Sequence, residues 1–178
     1  MTIAAANDTV TFKGATGQTE QALGVRQMGG GVAASASFTP AAAAYGAGDM
    51  MDVAKALAFG AGAAGEVRLT AVSLLVEASA LQASEAAYRL HLYNVTPPSA
   101  RADNAAWDLP SGDRAAYLGF VDITAPVDVG SSLFIQIDTL AKQITVPAGG
   151  TVYAELVTVA GFTATAVART VTLHGVTL

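Results

Sequence analysis

Short segments of strand-forming residues, separated by turns rich in glycine and proline, recur along the chain after residue 31. Eight or nine such segments, with few helical periods between them, predict an all-β chain that folds as a β-sandwich or jelly-roll-like single domain. A helix over 49–58 is the one alternative that the pattern leaves open. The strand segments are 32–39, 53–59, 66–78, 87–95, 117–123, 133–137, 143–146, 151–159 and 166–178.

Two of these segments also predict how their side chains divide between the two faces of a sheet. Alternation along 87–95 divides its side chains into one face of Tyr88, Leu90 and Leu92 and another of Arg89, His91 and Tyr93. The longest segment, 66–78, carries two apolar sets in opposite phase, which are Val67, Leu69 and Ala71 and then Val72, Leu74 and Val76. This change of phase predicts either a β-bulge or a strand that is buried on both faces.

The first 31 residues have a different character from the rest. They are polar, rich in Thr, Gln and Gly, and they end in the three consecutive glycines 29–31. Because glycine imposes no preferred φ, this triplet predicts a flexible joint. We expect 1–31 to be an extended N-terminal arm that orders on a neighbour, or else a disordered terminus, and 32–178 to be the β-sandwich domain.

Composition excludes several classes of partner and site. The formal net charge is −5 and the sequence has no Lys/Arg cluster, so we expect no nucleic-acid partner. The absence of cysteine excludes disulfides and thiolate metal sites and fits assembly in a reducing cytoplasm. No run of 18 apolar residues exists and the N-terminus has no signal-peptide pattern, so we expect no membrane partner.

Ionisable residues form no recognised catalytic or metal-binding motif. His91 and His174 are the only histidines, and neither belongs to an HxH, HExxH or two-His-plus-carboxylate pattern. Serines are numerous, but there is no GxSxG elbow. We therefore expect a protein that is not an enzyme and that has no catalytic residues, no cofactor and no metal.

One loop concentrates the residues that remain of interest. Asp103, Asp108 and Asp113 recur at intervals of five, with Asn104 among them, and such oxygen ligands could hold calcium. The Asp-Asn pair is also ordinary turn chemistry. Trp107, the only tryptophan, could stack on a sugar or fill a pocket of a partner, but we favour the interpretation that it covers one end of the sandwich core.

Several motifs, taken in order, resemble a family of small virion proteins of tailed bacteriophages, which are considered head decoration or cement proteins. The matching residues are YGAGD at 45–49, the strand at 67–76, LHLYN at 90–94, PPS at 97–99, DNA at 103–105, LGFV at 118–121 and PAGGTVYAELV at 147–157. The resemblance covers about residues 38–178. The three residues 50–52 (MMD) depart from the family, which often has glycine after the first motif, so the backbone there is in question.

The resemblance implies a non-enzymatic β-sandwich on the outer surface of a phage head, made in the host cytoplasm. Its partners would be the major capsid protein and further copies of itself, commonly as a trimer at a local threefold position, and it would stabilise contacts between capsomers. The candidate interface residues are Tyr45, Asp49, Pro97, Pro98, Asn104 and Trp107.

A binding module is the alternative. A β-sandwich of a virion or a secreted protein could bind a carbohydrate or a receptor through aromatic side chains exposed on one face, for which Tyr88, Tyr93 and Trp107 are the candidates. A major capsid protein is less well supported, because the chain is short and lacks the helical segments expected of that fold.

Overall fold

The computed structural model describes residues 30–97 and 99–178, together with the backbone of two short strands before them. This part of the chain is almost entirely β-structure, with a single 3-10 turn at Ala61–Ala63. The strands are β1 (Thr11–Lys13), β2 (Thr19–Gln21), β3 (Gly31–Phe38), β4 (Ala44–Tyr45), β5 (Lys55–Ala58), β6 (Gly65–Val76), β7 (Tyr88–Tyr93), β8 (Tyr117–Ile123), β9 (Val127–Asp128), β10 (Leu133–Ile137), β11 (Lys142–Val146), β12 (Thr151–Thr158), β13 (Phe162–Thr163) and β14 (Arg169–Thr177).

Two antiparallel sheets form the sandwich. The first has six strands in the order β3-β14-β6-β10-β9, and β11 pairs with β6 beside β10. The long strand β6 takes both neighbours on one edge, because β11 pairs with its first residues, 65–69, and β10 with its last, 72–76. The second sheet has four strands in the order β5-β12-β7-β8. The sequence-based prediction of an all-β sandwich is confirmed.

One hydrophobic core lies between the two sheets. Alternation supplies it, since the apolar residues of each strand recur at every second position and point inward. The predicted grouping of Tyr88, Leu90 and Leu92 on one face of β7 is confirmed, and the structure shows that this is the core face. Opposite them, the first sheet contributes Phe38, Val67, Leu69, Val72, Leu74, Val76, Val171 and Leu173.

The change of phase in β6 is a β-bulge. Its register against β14 shifts between His174, which pairs with Ala71, and Gly175, which pairs with Leu69, so Thr70 has no partner. The extra residue lets the apolar residues on both sides of it reach the same core. Outer positions of the strand, including Arg68 and Leu75, are exposed, so the alternative of a strand buried on both faces is wrong.

The other expectations have mixed outcomes. No helix occurs over 49–58, where β5 and an isolated bridge between Met50 and Val157 lie instead. Most of the expected arm, 1–31, lies outside the described residues. The described part of it contains β1 and β2, which pair with each other, and the start of β3 at Gly31. None of the described residues lies in a helix long and apolar enough to cross a membrane.

Candidate functional site

Three distant segments join at one edge of the four-stranded sheet. The segment 46–51 runs beside the second half of β12, beyond the residues that pair with β5. Gly48 N donates to Thr158 O at 2.9 Å, Thr158 N donates to Asp49 O at 3.0 Å, and Met51 N donates to Leu156 O at 2.8 Å. This segment therefore extends the sheet past the end of β5.

The loop 102–107 pairs with the far side of that segment. Asn104 N donates to Met50 O at 2.9 Å, Met50 N donates to Ala105 O at 2.9 Å, and Trp107 N donates to Gly48 O at 2.8 Å. These backbone hydrogen bonds join three segments into one unit, which we call the edge unit. The segments are 46–51, 102–107 and the second half of β12, 155–158. It is this pairing that fixes where Trp107 lies.

The carboxylate of Asp103 holds the edge unit to the neighbouring loop. It accepts hydrogen bonds from Ala41 N at 2.8 Å, from Asp52 N at 2.7 Å and from the Tyr45 hydroxyl at 2.7 Å. Burial of the ring, followed by the hydrogen bond to Asp103, raises the pKa of Tyr45 above its usual range. The Tyr45 hydroxyl is therefore a permanent donor here and takes no part in proton transfer near neutral pH.

Asn104 and Asp49 complete the turns of the edge unit. Asn104 has a φ of 62°, in the left-handed region that asparagine tolerates better than most residues, and its Nδ2 donates to Ala44 O at 3.1 Å. The carboxylate of Asp49 accepts from Gly46 N at 2.5 Å. The Asp-Asn pair at 103–104 thus serves as turn chemistry, which was one of the two interpretations of this sequence.

A buried charge cluster lies beneath the edge unit. The Arg101 guanidinium is 2.8 Å from Glu155 Oε1 and 3.0 Å from Asp113 Oδ2, and both carboxylates are fully buried. Glu155 Oε2 also accepts from the Tyr93 hydroxyl at 2.8 Å and from Trp107 Nε1 at 3.0 Å. The cluster ties the loop after β7 to the centre of β12, because Arg101, Trp107 and Asp113 all belong to that loop.

An aromatic layer covers the outer face of β7 beside this cluster. The His91 and Trp107 rings stack with centroids 3.6 Å apart and planes at 18°, and His91 Nδ1 lies 2.8 Å from the Tyr117 hydroxyl. Burial, together with the nearby Arg89 and Arg101 charges, lowers the pKa of His91 to about 3. His91 is therefore a neutral packing residue.

A surface pocket of about 310 Å³ opens next to the stacked rings. Its walls include Gly48, Trp107, Val159 and Arg89. Arg89 is held in an exposed ion pair with Asp122, at 2.6 Å, and its guanidinium lies 4.0 Å from the centroid of the Phe120 ring. The pocket can accept a small, mainly apolar group, with one guanidinium at its rim.

The six candidate interface residues have different positions. Four of them lie in the edge unit or brace it, and these are Tyr45, Asp49, Asn104 and Trp107. Asn104 is exposed, Asp49 and Trp107 are partly exposed, and Tyr45 is buried. Pro97 is buried in the loop after β7. Pro98 lies outside the described residues.

Trp107 does not cover an end of the core, so that prediction is wrong. It stacks on His91, which lies on the face of β7 opposite to the core residues Leu90 and Leu92. The reason is the pairing of 102–107 with 46–51, which folds the loop back over the outer face of the sheet. Local sequence patterns carry no signal for such a non-local pairing.

The three spaced aspartates do not converge on one ion. Asp103 bonds Tyr45 and backbone N–H groups, Asp113 is paired with Arg101, and Asp108 is exposed and accepts from Leu109 N at 2.8 Å. Nor does any group of three or more His, Asp or Glu residues in the described part of the chain have the arrangement to hold a metal ion.

Two buried charge clusters, with three ion pairs between them, were not predicted from the sequence. One is the Arg101 cluster, and the other joins Arg169 to Glu85 at 3.1 Å, with the Tyr88 hydroxyl bonded to both. The sequence holds one indication that Glu155 is buried and paired. It is the one charged residue in the otherwise largely apolar strand TVYAELVTV. All of the charged groups in these clusters have hydrogen-bond partners. Among the described residues, Thr165 Oγ1 is the one buried side-chain polar atom that makes no hydrogen bond.

Comparison with protein-family models and with curated proteins finds no match for this chain.

Proposed function

We propose that this chain is a decoration protein of a tailed-bacteriophage head, which binds the outer capsid surface and stabilises contacts between capsomers. One observation carries the proposal. Three of the seven motifs that produce the family resemblance, 45–49, 103–105 and the last residues of 147–157, lie far apart in sequence and come together in the edge unit. There the Tyr45 hydroxyl donates to Asp103, and Met50 and Met51 pair with Ala105 and Leu156. Their convergence supports the proposal because it brings residues of three motifs to one surface.

The chemistry of the site supports a structural role and not an enzymatic one. His91 is held neutral, Arg101 is neutralised by two carboxylates, and the tyrosine hydroxyls at 45 and 93 donate to carboxylates. Groups committed in this way rigidify a surface and are not poised to exchange protons with a substrate. We therefore propose a structural protein without catalytic residues or a cofactor.

The proposed capsid-facing surface is the exposed side of the edge unit. Asp49, Asn104 and Trp107 reach solvent there, and Val159 beside them is 47% exposed. The proposed partners are the major capsid protein and further copies of this chain, and the resemblance implies a trimer. We propose no nucleic-acid or membrane partner. Many copies bound at once can strengthen a shell even when each contact is weak, because their contributions act together.

The experiment is a binding assay with mature phage heads that lack the protein. We expect the purified chain to sediment with the heads and to raise the temperature at which they are disrupted. Val159→Glu, on the proposed surface, should weaken binding at least about tenfold, since it buries a charge in the contact. Val127→Glu is the matched control, because Val127 is 57% exposed at the far edge of the other sheet. Wild-type protein that does not bind the heads would contradict the proposal.

A carbohydrate- or receptor-binding module is the second candidate, and the pocket beside Trp107 favours it. Against it, two of its three aromatic candidates, Tyr88 and Tyr93, are buried and only Trp107 is available to a ligand. A glycan screen separates the two functions. A hit that is lost in Trp107→Ala would support the binding module, and a screen without hits would count against it.

A further inference from the structure

We infer that the pocket beside Trp107 binds a small carboxylic acid with an apolar body, and that Arg89 and His91 hold its carboxylate group. The pocket has a volume of about 310 Å³. Pockets for small molecules begin at about 300 Å³, so this one fits a small ligand. Trp107, Val157 and Val159 supply apolar walls against which the body of the ligand packs.

Four polar side chains line the pocket, and two of them are already used within the protein. The Thr158 hydroxyl donates to a backbone carbonyl at 2.6 Å, and Trp107 Nε1 donates to Glu155 Oε2 at 3.0 Å. The other two, Arg89 and His91, have polar atoms to spare. They are therefore the side chains that can orient a ligand.

Arg89 keeps one edge of its guanidinium for a ligand. Asp122 accepts from Nε at 2.6 Å and from Nη2 at 3.2 Å, whereas Nη1 makes no hydrogen bond with any described residue. The Phe120 ring, whose centroid is 4.0 Å from the guanidinium, helps to fix its plane. Nη1 and Nη2 together present two parallel N–H groups, which match the two oxygens of a carboxylate. Because the Asp122 side chain is 56% exposed, water screens its repulsion of a second carboxylate.

The same protein contains a guanidinium that serves two carboxylates. Arg101 bonds Glu155 through Nη1 and Asp113 through Nη2, at 2.8 Å and 3.0 Å. There both carboxylates are buried and belong to the chain. At Arg89 the first carboxylate is that of Asp122, and the ligand supplies the second.

His91 supplies a further donor to the same place. It lines the pocket and is 3% exposed, its Nδ1 lies 2.8 Å from the Tyr117 hydroxyl, and its Nε2 has no partner among the described residues. Since Nε2 is not one of the buried atoms that lack a hydrogen bond, it reaches the surface, and the pocket is the surface that His91 lines. A Tyr117 hydroxyl that donates to Nδ1 leaves the proton of the neutral ring on Nε2.

A carboxylate suits these two donors better than a neutral ligand does. Arg89 and His91 are two residues apart on one face of β7, so both can donate to one acceptor group. Hydrogen bonds to an ionised acceptor are roughly twice as strong as those between neutral groups. None of the described residues that line the pocket carries a carboxylate of its own. The site is complete within one copy of the chain, so this inference does not depend on the capsid proposal.

Fluorescence of Trp107, the only tryptophan, reports directly on the pocket, and phenylacetate is the probe. Titration of the purified chain should give a saturable change with a dissociation constant of about 1 mM or lower. Phenylacetamide has nearly the same shape without the charge, so it should bind at least about tenfold more weakly. Acetate lacks the apolar body and should give no saturable change over the same concentrations.

Variants test the two residues that hold the carboxylate. Arg89→Met should raise the dissociation constant for phenylacetate at least about tenfold, with the far-ultraviolet circular dichroism spectrum unchanged. His91→Phe keeps an aromatic ring against Trp107 but removes Nε2, and it should weaken binding about threefold or more. Arg68→Met is the matched control, because it removes the same charge from an exposed position of the other sheet, and it should keep the wild-type constant within about twofold.

The inference is overturned if phenylacetate gives no saturable change, if phenylacetamide binds as tightly as phenylacetate, or if Arg89→Met keeps the wild-type constant. These measurements use the purified chain alone, and head binding is measured separately. The failure of one proposal is therefore distinguishable from the failure of the other.

Discussion

Replacing Arg101 by methionine should destabilise the fold more than any other removal of one exposed or partly exposed charge. The guanidinium is only 8% exposed, and among the described residues it is the one cation bonded to the buried carboxylates of Glu155 and Asp113. Methionine keeps most of the apolar stem, so the change removes the charge with little loss of packing. Two negative charges would then be buried close together without a counter-ion.

The magnitude follows from that uncompensated charge. Breaking a buried ion pair by removing one partner typically costs about 3–5 kcal/mol. A domain of this size has a free energy of unfolding of roughly 5–15 kcal/mol, so the variant should lose a large share of it. The melting temperature should fall by about 6–20 °C, at roughly 2–4 °C per kcal/mol.

The assay is urea unfolding followed by far-ultraviolet circular dichroism, at one protein concentration for all variants so that self-association contributes equally. Arg89→Met is the matched control, because the Arg89–Asp122 pair has side chains 40% and 56% exposed. A pair of this kind is worth about 1 kcal/mol or less.

A charge-removal series identifies the cause. Adding Glu155→Gln and Asp113→Asn to Arg101→Met removes both uncompensated charges and should recover at least half of the lost stability. If Arg101→Met costs no more than Arg89→Met, or if the neutral triple variant is no more stable than the single one, the reasoning about this cluster is wrong.

Three further predictions concern other parts of the fold. The pKa of His91 is depressed, so the unfolded chain binds a proton below about pH 6.5 that the folded chain binds only near pH 3. The free energy of unfolding should therefore fall as the pH decreases through that window, by at most about 1.4 kcal/mol per pH unit. A nuclear magnetic resonance titration should find His91 neutral at pH 5. Asp103→Ala removes the acceptor of three donors and should cost about 2–3 kcal/mol in urea unfolding, whereas the exposed Asp108→Ala should cost almost nothing. Gly150→Ala would place a Cβ 1.9 Å from a carbonyl oxygen at a φ of 70° and should lower the melting temperature sharply, while Gly149→Ala, with open space around it, should be nearly neutral.

Much of the β-structure is predictable from the sequence, because strand formation here follows local alternation. The segments 117–123 and 133–137 coincide with β8 and β10, and the change of phase in 66–78 correctly indicated a bulge as one of two alternatives. These features depend on residues that are neighbours in the chain.

The candidate site is far less predictable, because it depends on pairing between distant segments. Alternation placed His91 and Tyr93 together on the face opposite to Leu90 and Leu92, which is correct. Both are nevertheless buried, because the loop 102–107 folds over them. Arg101 and Glu155 read as ordinary polar residues in isolation. Their burial becomes evident only once β12 and the loop are brought together.

The most direct test of the proposed function is a cryo-electron microscopy map of the mature phage head, made from particles with and without the gene for this chain. The proposal predicts density for a β-sandwich at repeated positions on the outer surface, with the edge unit facing the shell, and its loss when the gene is removed. Identical maps from both kinds of particle, with no such density in either, would contradict it.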